Sequence, residues 1–83
     1  MHRAPDRHSE ILRALWQAFG REAFTTREAV ERPAVAAVLG ARPGDLPSAG
    51  HRLSRIKRAG SDGSRRLVFD AARRTWRVER TGA

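Results

Sequence analysis

The 83 residues (9.3 kDa) leave room for one small domain, and a chain that is 40% hydrophobic and 31% charged is neither a disordered tail nor a catalytic fold with a roomy cleft. The absence of cysteine excludes disulfides, thiolate chemistry and cysteine zinc sites. No apolar run approaches the roughly 18 residues of a membrane span, and the N-terminus has no signal-peptide core, so the expectation is a soluble, cytoplasmic, single-domain protein.

The net charge is +8, and it is unevenly spread. Residues 1–50 hold seven basic and six acidic side chains, whereas residues 51–83 hold ten basic and three acidic ones. A basic excess gathered in the last two-fifths of a chain is expected of a surface that meets a polyanion. Lys57 is the only lysine; the other basic residues are arginine, a usage that a GC-rich gene imposes, so each arginine is not read as selected for its bidentate fork.

Residues 1–8 (MHRAPDRH) read as a polar, flexible lead-in. Ser9 is the expected N-cap of a first helix, with Asp6 the alternative one turn earlier. Ile11, Leu12, Leu15, Trp16 and Phe19 form its apolar stripe, and Gly20 stops it. Ala23-Phe24-Thr25 is a short extended link. Thr25-x-x-Glu28 fits a capping box opening a second helix from Thr26 to about Glu31. Pro33 either ends that helix or starts the next turn at its first position, and the small apolar run Ala34 to Leu39 closes at Gly40. Arg42-Pro43-Gly44-Asp45 is a loop by its turn chemistry.

In the third helix Leu46, Ala49, Leu53 and Ile56 make one buried seam. The opposite side presents Ser48, His51, Arg52, Arg55 and Arg58, with Lys57 at the boundary. Asp45 or Ser48 caps its start and Gly60 stops it. After the turn Ser61-Asp62-Gly63-Ser64, Leu67-Phe69 and Thr75-Val78 alternate as two strands joined by Asp70-Arg74. Leu67, Phe69, Trp76 and Val78 are expected to face inward, Arg77 and Glu79 outward, with Arg73 and Arg74 at the hairpin tip. Arg65 and Arg66 flank the entry to the hairpin or solvate the strand start. Residues 81–83 read as a tail.

The fold class is therefore mainly α with a C-terminal β-hairpin (α+β), and its order of elements is that of a winged helix-turn-helix, three helices plus a wing, over residues 9–80. The expected core is Leu12, Leu15, Trp16, Phe19, Phe24, Val30, Val38, Leu39, Leu53, Ile56, Leu67, Phe69, Trp76 and Val78. The stretches AFGREAFTTREAV, PSAGHRLSRIKRAG and RLVFDAARRTWRVER resemble the C-terminal winged-helix module of phage- and plasmid-type primase/helicase replication proteins. The resemblance rests on Gly50, Leu53 and Trp76-Arg77-Val78 and implies a winged helix that contacts nucleic acid. A small regulator or inhibitor from a phage or mobile element fits the same pattern.

The candidate nucleic-acid-binding residues are Ser48, His51, Arg52, Arg55, Lys57, Arg58, Arg65, Arg66, Arg73, Arg74 and Arg77. The expected partner is double-stranded DNA, with the third helix in the major groove and the basic wing on the backbone; RNA would use the same charges. The rival reading is a protein-interaction module whose basic face meets an acidic partner, as an adaptor in a replication complex or an inhibitor. Trp16 and Trp76 lie on apolar stripes and are read as core rather than base-stacking platforms. His2, His8 and His51 lack metal spacing, no Gly-rich phosphate loop occurs, and Ser9, Ser48 and Ser54 lack a His and acid at diagnostic spacing. No catalysis, metal or cofactor is expected. Neither terminus offers a long pairing helix, so a monomer or a weak dimer through the first helix is expected.

Overall fold

A computed structural model describes residues 7–42 and 44–81. It has four helices and a C-terminal two-stranded hairpin: α1 (Arg7–Phe19), α2 (Thr26–Glu31), α3 (Pro33–Leu39), α4 (Leu46–Ala59), β1 (Arg65–Asp70) and β2 (Thr75–Arg80). The alternative cap Asp6, the histidine at position 2, Pro43 and the last two tail residues lie outside the described residues.

Within the described residues helix α1 includes Arg7 and His8, which sequence alone places in the flexible lead-in. Tertiary bonds account for the extra turn. Arg7 Nη1 donates to the Val38 carbonyl at 3.5 Å, and His8 Nε2 lies 2.9 Å from the Gly60 carbonyl oxygen. Ser9, expected as the cap, sits inside α1.

The capping box at α2 forms as the spacing requires. Thr25 N–H donates to Glu28 Oε1 at 2.8 Å, and Glu28 N–H donates to Thr25 Oγ1 at 3.1 Å. The expected three helices become four because of Pro33. The residue before a proline is driven out of the helical region, and Arg32 sits at φ −90°, ψ 113°. Proline itself cannot donate to Ala29, so Arg32 N–H donates to the Ala29 carbonyl instead and the helix breaks there. Pro33 then opens α3 at the position where its missing N–H costs nothing.

Asp45, not Ser48, caps α4: its Oδ1 accepts from Ser48 N–H at 3.3 Å. In the hairpin Leu67 pairs with Val78 and Phe69 with Trp76, and the strands extend two residues beyond expectation to pair Arg65 with Arg80 and Arg66 with Glu79. Asp62 Oδ1 accepts from the N–H groups of Ser64 and Arg65, both at 2.8 Å, and fixes the strand entry. At the tip Asp70 Oδ1 accepts from Ala72 and Arg73 N–H, and Arg74 takes the left-handed conformation at φ +55°. The link before α2 is itself a strand partner. Phe24 N–H donates to the Trp76 carbonyl at 2.9 Å, and Trp76 N–H donates to the Phe24 carbonyl at 2.7 Å.

The core joins all these elements: Leu12, Leu15, Phe24, Val30, Leu39, Leu53, Ile56, Leu67, Trp76 and Val78, together with Ile11, Ala29, Val35, Ala41 and Ala49. Four expected members differ. Trp16, Phe19 and Val38 are half-buried on the rim. The break at Pro33 resets the phase of α3, so Val35 and Leu39 point inward and Val38 flanks them. Phe69 shares the hairpin's core-side face but sits one residue from the tip, where it packs on Trp76 and stays 38% exposed.

Candidate nucleic-acid interface

Burial of Ala49, Leu53 and Ile56 turns the other side of α4 to solvent, and His51, Arg52, Arg55, Lys57 and Arg58 are all exposed there, with Ser48 half-buried. Ser48, His51, Arg52 and Arg55 line one shallow groove with Pro47. Arg52 and Arg55 also face a second groove, floored by Ile11, Leu39 and Ile56 and shared with Arg7. Arg7 Nη1 and Arg52 Nη1 lie 3.9 and 3.5 Å from the point where a Gly40 Cβ would stand. Arg7 thus joins the basic face although sequence reasoning assigned it to the lead-in. Its signal was the four-residue step to Ile11, which continues the α1 periodicity one turn backwards.

Lys57 lies on the other flank of α4. It shares a third groove with Ser54, Thr26, Phe69 and Arg74, so the hairpin tip and α4 contribute one cation each to the same cleft. Arg73 turns to the hairpin's outer face, beside Arg66 and Arg77. Arg58 is exposed on α4 and lines none of these grooves.

Three further hairpin arginines are otherwise engaged. Arg66 Nη2 contacts Glu79 Oε1 at 2.9 Å, and Arg77 bonds Glu79 Oε2. The Arg77 and Arg66 guanidinium groups hold the Glu79 carboxyl below its ordinary pKa. Arg65 faces the core side, its guanidinium 5.6 Å from the Trp16 ring centroid. Its Nε is shielded from solvent with no hydrogen-bond acceptor among the described residues.

The sequence-derived set therefore divides by environment. Among the described residues, Arg52, Arg55, Lys57, Arg58, Arg73 and Arg74 have no ion-pair partner. The three grooves along α4 contain no carboxylate, whereas the hairpin's outer groove holds Asp70 and Glu79. A fourteen-residue helix carrying uncompensated cations can follow a line of phosphates, and at about 10–12 Å across it matches a major groove. Among the described residues no three His, Asp or Glu side chains come together to hold a metal ion, and no helix is long and apolar enough to cross a membrane. Compared with protein-family models, curated proteins and solved structures, the chain matches none.

Proposed function

We propose that the chain is a winged helix-turn-helix that binds double-stranded DNA, with α4 in the major groove and the hairpin along the neighbouring backbone. The observation that carries this reading is the exposed surface of α4: Arg52, Arg55, Lys57 and Arg58, none ion-paired among the described residues, with no carboxylate in the grooves that Arg52, Arg55 and Lys57 line. Arg7 and Arg74 extend the same face at its two sides. The backbone pair between Phe24 and Trp76 supports the fold half of the proposal, since it ties the hairpin to the stretch between α1 and α2 and holds it beside α4.

Fluorescence anisotropy of a labelled random duplex of about 20 base pairs, titrated at roughly 50 and 200 mM salt, tests the reading. If five or six phosphates are neutralised, log K falls against log salt with a slope of about −5. Arg55→Ala weakens binding while leaving the melting temperature within about a degree. A folded RNA added as competitor separates the two nucleic acids. Absence of binding at 50 mM salt, or binding indifferent to salt, overturns the proposal.

A further inference from the structure

Phe69 is the one large apolar side chain that is exposed among the described residues; it lines the groove along α4 that also holds Lys57 and Arg74, and it borders the hairpin's outer groove as well. Its ring packs on Trp76 with centroids 4.5 Å apart and planes inclined at 46°. Trp76 is itself immobilised by its backbone pair with Phe24 and by an indole N–H bond to Thr26 Oγ1 at 3.0 Å. Phe69 is therefore a braced aromatic platform. Lys57 from α4 and Arg74 from the turn border the same cleft, which contains Ser54 and Thr26 and no carboxylate.

Arg74 sharpens the point. It is the one non-glycine residue with positive φ among those described, at +55°, a conformation that Gly or Asn adopts with less strain. The turn geometry gives no reason for arginine there, whereas the cleft it borders does.

We infer that this cleft takes an unpaired nucleotide, its base stacked on Phe69 and its flanking phosphates held by Lys57 and Arg74. An aromatic face in a groove with two positive charges matches the nucleotide's combination of planar base and anionic linkers. A base inside an intact duplex has both faces covered by its neighbours, so the preferred substrate is duplex DNA interrupted by a gap or a single-stranded end. An acidic peptide would share the charge complementarity but brings no planar base to stack on the Phe69 ring. The inference rests on the DNA-binding reading and adds to it the class of DNA bound.

The test compares a fully paired duplex of about 20 base pairs with the same duplex carrying a short central gap that contains 2-aminopurine. The parent protein binds the gapped duplex about tenfold more tightly, the size of one base–aromatic stack, and quenches the 2-aminopurine emission. Phe69→Leu keeps apolar cover over Trp76, so it retains the fold; it loses both the preference and the quench while binding the paired duplex within about twofold of the parent. Phe69→Trp keeps both. Equal affinity of the parent for the two duplexes, or a quench that survives in Phe69→Leu, overturns the inference and leaves duplex binding standing. Failure to bind the paired duplex at all removes the DNA reading itself, and this inference with it. A peptide of Glu and Asp around one Phe, bound by the parent more tightly than the gapped duplex and not bound by Phe69→Leu, assigns the cleft to an acidic protein instead.

Discussion

Arg65 and Arg66 are adjacent in sequence and opposite in setting. Strand alternation sends Arg65 to the core side over Trp16 and Arg66 to the outer face against Glu79. Packing a guanidinium and its stem on an indole contributes about 1 kcal/mol, while an exposed, solvent-screened ion pair contributes less. Arg65→Ala should thus lower the melting temperature by about 4–8 °C and Arg66→Ala by less than half of that, read by thermal circular dichroism. Equal losses would contradict the environments described. Asp62 behaves differently because it titrates. Partial burial raises its pKa, but the N–H groups of Arg65 and Ser64, the Ser9 hydroxyl and the charge of His8 together hold it below the ordinary carboxylate value. A carboxylate depressed in the folded state adds stability above its unfolded pKa, near 3.9, and that stability fades as pH falls through the lower folded value. Asp62→Asn should be less stable than the parent at neutral pH and lose less on descending from about pH 5 to pH 3. Parallel pH profiles for the two proteins would remove Asp62 from the account.

At the scale of elements, the turn between β1 and β2 sets conformation against charge. Asp70 caps the turn as its side-chain chemistry prescribes, and Arg74 then occupies the left-handed position at φ +55°. Arg74→Asn suits that position better and should hold or raise the melting temperature by a few degrees while weakening the proposed DNA binding several-fold. A variant that binds as well as the parent would show Arg74 to be a passenger of the turn. The Thr25 capping box, the apolar seam of α4 and the hairpin alternation were all legible in sequence, because each depends on residues within four positions or on strand parity. The break at Pro33 was legible only as a choice between two outcomes. The first described turn of α1 left only the four-residue step from Arg7 to Ile11 as a local trace, since Arg7 and His8 are held by carbonyls of Val38 and Gly60, far along the chain. Distance in sequence also hid part of the division of the basic residues: Glu79 claims Arg66 through the strand register, whereas its bond to Arg77, two residues away on the same face of β2, follows from strand parity.

For the whole molecule, the long dimension is 39 Å and one turn of duplex is about 34 Å, so a single copy would span about one turn in the proposed complex. The order of elements was readable from the chain, but their assembly was not. Phe24 looked like part of a connector, and its strand partner Trp76 lies near the other end of the domain. That pair has a kinetic consequence. The hairpin is tied at its base by Thr81 N–H donating to the Ser64 carbonyl at 2.8 Å, and farther along by Phe24. It is therefore already oriented beside α4 before any ligand arrives, and little conformational entropy is lost in ordering it on binding. Association then needs no preceding rearrangement, so the observed rate rises linearly with ligand concentration and reaches no plateau.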